Sequence, residues 1–428
     1  VLSSLAQGAV STAARLLTGV VLFVLLARAW GPQDFGLFMF WFTVGTIACL
    51  PVDYGFAQQA LRELGRDPSQ AQPLMARLRD AKLVLAAMVL TLFAAAAAAA
   101  RLPGPERDLA LLLLVAAVLF SFGDLFAMGL RGLGRFRDEM LVSVGASVLH
   151  FGLVVVVLAA GGGLKLVAGA FVASRAAQLA ALAHRFQAAA GALGRPLART
   201  GEVGPTLAAG LRYGADHLLT NLYLALDTVL VKALLGPAAV GVYQAGLRLV
   251  QGAFALVPVI NSVYVPAIAA AAEHGESTGR HARALLLQLA LVGSVASLAL
   301  ALFAGPIQRL LYGQEFGELA RLLPLFGALL LLRCTIAAFG TVMAALGYQR
   351  ARAGGLVLAT ALLAAGIALW APRFELAGVL AAALVAHAAL GVVYVAVLAR
   401  RRIQTGLRPA SAGILAATAA VLGVRWFW

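Results

Sequence analysis

Ala27-Arg-Ala-Trp-Gly-Pro-Gln-Asp-Phe-Gly-Leu-Phe38 separates the first two long apolar stretches of the chain, and the chain repeats it. Residues 231–243 read Val-Lys-Ala-Leu-Leu-Gly-Pro-Ala-Ala-Val-Gly-Val-Tyr. Gly31, Pro32, Gly36 and Phe38 fall on Gly236, Pro237, Gly241 and Tyr243 at a constant offset of 205 residues. Proline breaks a helix because it lacks an N–H and clashes with the preceding turn, and the second glycine frees the backbone to start the next helix. One hinge near the start of each half predicts two copies of one helical bundle. Duplicated bundles with a site at the repeat interface are a recurring architecture of secondary transporters.

Outward from the hinge, the apolar segments predict an all-α, polytopic transmembrane bundle of two six-helix lobes plus a C-terminal helix. The first half has helices at about 5–29, 36–61, 83–100, 109–130, 139–160 and 164–186. The second has about 206–235, 240–271, 284–304, 319–346, 353–371 and 376–399, with a thirteenth at about 410–428. The expected domains are 1–186, a cytoplasmic linker at 187–205, 206–400 and a C-terminal segment at 401–428. Further echoes follow in order. Leu133-Gly-Arg-Phe-Arg137 is answered by Leu346-Gly-Tyr-Gln-Arg350, and Val167-Ala-Gly169 by Leu376-Ala-Gly378.

Composition agrees with that plan. Of 428 residues, 62% are hydrophobic and 12% charged, a balance outside the range of water-soluble domains. The net charge of +15 does not indicate nucleic acid, because the basic residues sit in short loops between apolar helices. Cys49 and Cys334 both lie in apolar segments, which leaves no disulfide framework or metal cluster to read. Arg15, the apolar run to Leu26 and Ala27-Arg28-Ala29 imitate a secretory signal with its cleavage site. The recurrence of the same ending at residue 231 argues for a membrane helix instead.

With a cytoplasmic N-terminus, the inner loops hold 20 Lys and Arg and the outer loops and helix ends hold 9. That excess fits the positive-inside rule. Trp30, Trp41, Trp370, Trp426 and Trp428 fall near the outer helix ends, where an aromatic belt sits. Inner loops are expected at 62–82, 131–138, 185–205, 272–283 and 400–409.

Six ionisable residues lie well inside the expected helices: Arg15, Arg175, Arg248, Arg333, Asp124 and Asp227. At about 3 kcal/mol each, lipid exposure of all six would outweigh the ~5–15 kcal/mol by which folds are stable. They are expected to face a wet cavity or one another. Gln7, Ser11, Arg15 and Thr18 step along one face of helix 1. Helix 2 carries Thr43, Thr46 and Asp53, helix 7 carries Tyr213, Asp216, Thr220, Tyr223 and Asp227, and helix 8 carries Gln244, Arg248 and Gln251. Helices 1, 2, 7 and 8 should line the cavity, with Asp124, His150 and Arg333 added from helices 4, 5 and 10. The bland alternative is that these charges form ion pairs that hold the bundle together. His217 and His387 read as packing or interfacial residues. Pro51 and Pro258, at nearly the same repeat position, mark kinked segments of the kind that flank a transporter's moving site. No phosphate-binding glycine loop of the G-x-x-x-x-G-K-[ST] type is present in the sequence, which argues against ATP hydrolysis.

Several of these residues carry a resemblance. Arg15, Ala27-Arg28 with Trp30-Gly-Pro-x-x-Phe-Gly36, Asp53-Tyr-Gly-Phe56 and Arg62 resemble the start of bacterial polysaccharide flippases. Gly241-Val-Tyr-Gln-Ala-Gly-Leu-Arg248, Pro258 and Tyr264-Val-Pro266 resemble the family's helix 8. The family belongs to the superfamily of multidrug, oligosaccharidyl-lipid and polysaccharide exporters. The resemblance implies two six-helix lobes around a cationic cavity in the bacterial inner membrane. It implies passage of undecaprenyl-pyrophosphate-linked oligosaccharide to the outer leaflet for surface polysaccharide such as O-antigen or exopolysaccharide. A polysaccharide polymerase and chain-length machinery are the protein partners it suggests. Arginine suits an anionic pyrophosphate, so Arg15, Arg248, Arg175 and Arg333 are the expected substrate contacts. Arg15 and Arg248 come from different halves, so an anion held by both would draw the halves together. Asp124, Asp227 and Asp53 are candidates for proton or sodium coupling; no other cofactor is expected. The thirteen expected helices depart from the family's twelve or fourteen. The alternatives are an ion-coupled multidrug exporter, which would favour an acidic cavity, and a membrane polymerase or ligase. The latter would carry a larger outer loop than 305–318.

Overall fold

The computed structural model describes the backbone over residues 2–197, 200–274 and 277–400, and side chains from residue 18 onward apart from 198–200, 211–217 and 275–276. All regular structure among the described residues is helical. The helices are α1 (Leu2–Asp53), α2 (Phe56–Arg66), α3 (Ala71–Ala99), α4 (Gly104–Gly132), α5 (Phe136–Ala159), α6 (Leu164–Ala190) and α7 (Val203–Leu235). They continue as α8 (Pro237–Phe254), α9 (Leu256–Glu273), α10 (Gly279–Leu302), the short α11 (Ala304–Ile307), α12 (Gly317–Ala345) and α13 (Gln349–Arg400). Ten helical segments in the described part are long and apolar enough to cross a membrane. Of these, α1 and α13 each run to 52 residues and bend, at Gly31 and at Glu375. At 1.5 Å per residue each is roughly 78 Å long, enough for two crossings of a ~30 Å hydrocarbon core. The expected helix at 410–428 lies outside the described residues.

The chain divides into two compact units. One comprises Val1–Leu22 and Phe38–Ala225; the other comprises Phe23–Leu37 and the chain from Leu226 onward. In the first unit α4 packs on α2, α3, α5 and α6. Its core joins Phe56, Ala60 and Leu64 of α2 to Leu74, Met75 and Leu78 of α3, Leu130 of α4 and Phe186 of α6. A second cluster sets Cys49 and Val52 against Val89, Leu114, Val118 and Phe122. In the second unit α12 is central and packs on α8, α9, α10 and α13.

Three segments differ from the sequence-based expectation. The helix expected over 36–61 ends at Asp53, because Tyr54 (φ 38°) and Gly55 (φ 74°) turn left-handed. The chain restarts as α2, an amphipathic helix that buries Phe56, Gln59, Ala60 and Leu64 and exposes Gln58, Arg62 and Arg66. The helix expected over 240–271 breaks at Ala255 into α8 and α9. Pro258 has no N–H to donate to the Phe254 carbonyl, so the ladder opens there. Pro51, by contrast, sits inside a continuous helical arm, and both prolines are exposed. Residues 62–82, expected as a loop, hold the end of α2, a short 3₁₀ turn and the first three turns of α3. Ala71, Leu74, Met75, Leu78 and Ala81 are buried at helical spacing. That register carries Asp80 and Lys82 into the interior.

The two hinge copies take the same conformation. Gly31 (φ 71°, ψ 178°) and Gly236 (φ 87°, ψ −179°) are followed by Pro32 and Pro237 at the start of the next helical arm, where proline's fixed φ and missing donor are harmless. The copies also touch, both inside the second unit. A Cβ on Gly36 would land on the Pro237 carbonyl and the Gly241 nitrogen, and a Cβ on Gly241 would land on the Pro32 carbonyl. Gly134 (φ 75°) and Gly347 (φ 80°) likewise both take a positive φ at the second echo. Gly36→Ala is therefore expected to force backbone movement and cost about 1–3 kcal/mol, read as a lower melting temperature of the purified protein. Gly145→Ala, where a Cβ meets open space, is the control. Equal melting of the two variants would show that the hinge copies do not depend on each other.

Candidate functional site

Among the described residues, four settings inside the spanning helices hold Lys82, Arg175, Arg248 and the pair Asp227 and Arg333. In the first unit, Lys82 is 1% exposed and its Nζ lies 3.4 Å from Oδ1 of Asp53, which is 32% exposed. The Ser121 hydroxyl donates to the same carboxylate oxygen, and the ammonium sits 5.5 Å from the Phe122 ring centroid. Reading the sequence placed Lys82 in a loop and missed it. The signal was available in the apolar i, i+3, i+4 register of residues 71–81.

Arg175 of α6 is half-buried. Its Nη1 donates to Oε1 of Gln178 at 2.8 Å, and its guanidinium lies over Phe120 at 4.7 Å. Beside it, His150 of α5 meets the Ser174 hydroxyl at 2.7 Å and the edge of Phe171 at 4.4 Å. Asp124 is half-buried in α4.

In the second unit Arg248 of α8 repeats the Arg175 arrangement. Its Nη1 donates to Oε1 of Gln251 at 2.9 Å, and its guanidinium lies 3.9 Å from the Phe23 ring centroid. Arg-x-x-Gln thus recurs with an aromatic ring beneath the cation. The i, i+3 spacing puts the amide one turn from the guanidinium, and the ring face attracts the cation through its quadrupole. Nearby, Tyr312 donates its hydroxyl to the Ala245 carbonyl at 2.8 Å. Burial holds the Tyr312 phenol above its ordinary range.

The fourth setting gathers two expected site residues into one network. Asp227 is 2% exposed. It accepts from the Tyr243 hydroxyl at 2.7 Å and from the Thr228 N–H at 2.6 Å. The Gln244 amide donates to the Thr228 hydroxyl at 2.6 Å. Arg333 acts on Asp227 electrostatically, and its Nε donates to Nε2 of His387 at 3.2 Å. The His387 Nδ1 faces the Ala383 carbonyl at 2.8 Å, which assigns the ring proton to Nδ1 and leaves Nε2 as acceptor. His387, expected to be a packing or interfacial residue, is a partner of Arg333. The side chains of Arg15, Tyr213, Asp216 and His217 lie outside the described set. Among the described residues no cluster of three His, Cys, Asp or Glu side chains is placed to hold a metal ion.

Three comparisons bear on this arrangement. A sequence model of the family described as "Polysaccharide biosynthesis protein" matches residues 4–272. No curated protein matches the chain. Among solved structures, the chain is similar to an inward-facing multidrug resistance MATE family transporter of the MOP superfamily. That match has a TM-score of 0.69 and 16% identity, and covers 97% of this chain and 96% of the other. The lipid II flippase MurJ in an inward closed conformation matches with a TM-score of 0.73 and 12% identity, covering 93% and 87%. A MOP superfamily transporter from Pyrococcus furiosus, described as having a binding pocket of reversed polarity, matches with a TM-score of 0.65 and 17% identity, covering 94% and 95%. The chain belongs to the polysaccharide biosynthesis protein family and has the helical fold of the MOP superfamily transporters.

Proposed function

We propose that this protein translocates undecaprenyl-pyrophosphate-linked oligosaccharide from the inner to the outer leaflet by alternating access. The observation that carries the reading is the pair of arginines, Arg175 and Arg248, each held inside a spanning helix by an i+3 glutamine and an aromatic face. A guanidinium oriented by such partners suits bidentate contact with a phosphate. Arg15 and Arg333 extend the proposed anion-binding set. Family membership supports the glycan part of the substrate. Asp53 already has the Lys82 ammonium, and Asp227 already accepts from Tyr243 and Thr228. Those partners weigh against a cation exporter whose drug site would need these carboxylates. Asp227 and Asp124 are the proposed coupling carboxylates.

The test is reconstitution. Proteoliposomes carrying a fluorescent undecaprenyl-pyrophosphate oligosaccharide are assayed for movement of the label between leaflets under imposed proton and sodium gradients. The expected result is protein-dependent movement that one of the gradients accelerates and that Asp227→Asn uncouples. Movement no faster than in empty liposomes, with export of a cationic dye by the same vesicles, would replace the flippase reading with the multidrug one.

A further inference from the structure

We propose that His150 forms, with Arg175, a two-point recognition site inside the first unit, and that His150 makes the site selective for a phosphate ester bearing a neighbouring hydroxyl. This rests on the proposed function and deepens it. His150 stands near the middle of α5 and is 5% exposed. The Ser174 hydroxyl donates to the Phe171 carbonyl at 3.0 Å. Its one proton is thereby used, and the Ser174 oxygen faces His150 Nδ1 as an acceptor. The imidazole proton therefore sits on Nδ1. The T-shaped contact with Phe171, at an interplanar angle of 79°, fixes the ring plane.

What remains is Nε2, a lone pair in a ring held on two sides. It makes no hydrogen bond among the described residues and is not sealed from the surface. A neutral imidazole nitrogen of this kind accepts from an O–H or N–H donor and repels an anionic oxygen. Arg175, the next residue after Ser174, lies within electrostatic range of the ring and offers the opposite chemistry. A ligand that satisfies both groups must present an anionic oxygen and, beside it, a hydroxyl. A glycosyl phosphate has that pair; a bare prenyl phosphate does not. A buried acceptor left unpaired costs free energy, so the site disfavours the lipid carrier once it has lost its sugar.

The probes are a short-chain prenyl diphosphate and the same molecule bearing one hexose, whose 2-hydroxyl stands beside the diphosphate, titrated calorimetrically into detergent-solubilised protein. Wild type is expected to bind the sugar-bearing probe about five-fold more tightly, on the order of one net hydrogen bond. His150→Phe keeps an aromatic ring and removes the acceptor. It should bind both probes equally, and the bare diphosphate more tightly than wild type does, because no acceptor is left unpaired. His150→Gln retains an acceptor and should restore part of the discrimination, which a purely structural role of the ring would not produce. Unaltered discrimination in a normally melting His150→Phe protein would overturn the role of His150 and leave the flippase reading standing. Failure of wild type to bind either probe would overturn both.

Discussion

Arg248→Ala is expected to lose most glycan export, at least ten-fold, while the protein still reaches the membrane at normal abundance. The alanine removes a guanidinium that Gln251 and Phe23 hold in one orientation. A phosphate contact worth about 1.5–3 kcal/mol as a charge-assisted hydrogen bond corresponds to roughly ten- to hundred-fold in binding. The lost contact with Phe23 costs about 0.5–2 kcal/mol of stability, less than a fold of this size needs to unfold. Arg248→Lys keeps the charge but not the planar fork and should retain part of the activity. Gln251→Ala leaves the charge in place and frees its direction, so an intermediate loss is expected. Arg15→Ala belongs in the same export assay. Wild-type export by stable Arg248→Ala and Arg15→Ala proteins would remove the anion site from the mechanism.

The second large effect concerns stability. Asp53→Asn should lower the melting temperature sharply, because it strands the Lys82 ammonium, 1% exposed, beside the Phe122 ring. Breaking a buried ion pair costs about 3–5 kcal/mol. The lower end applies here, because Asp53 is itself one-third exposed and partly screened. Lys82→Met alone leaves a carboxylate that Ser121 and solvent can serve, so its cost is smaller. The double variant Asp53→Asn/Lys82→Met should recover most of the loss, since an uncharged pair of similar volume replaces the charges. A purified Asp53→Asn protein that melts like wild type would show that Lys82 does not depend on this carboxylate. Normal gradient-driven transport by the double variant would remove Asp53 from the coupling candidates and leave Asp124 and Asp227.

Much of this protein was legible in one dimension. Apolar runs of spanning length and the excess of basic residues in short loops identify a polytopic helical membrane protein, because lipid leaves the backbone few alternatives. The Gly-Pro pairs at 31–32 and 236–237 marked two helix boundaries, since missing donors and positive φ are local properties. The arginines of α6, α8 and α12 stood out because charge in an apolar helix is expensive wherever it points. Other features depended on register and on neighbours far along the chain. Tyr54 turns left-handed although no local rule favours it there, and α2 follows with its own buried face. The same local chemistry describes Pro51 and Pro258, yet α1 carries Pro51 within it and ends after the proline, at Asp53, whereas α8 stops before Pro258 is reached. Lys82 looks like a loop cation until the face it shares with Leu74 and Leu78 is packed inward. Partner choice is the clearest case. Whether a buried charge meets a ring, an imidazole or a carboxylate from another helix is set by which helices pack together, and tertiary structure alone gave Arg333 to His387, Arg248 to Phe23 and Lys82 to Asp53.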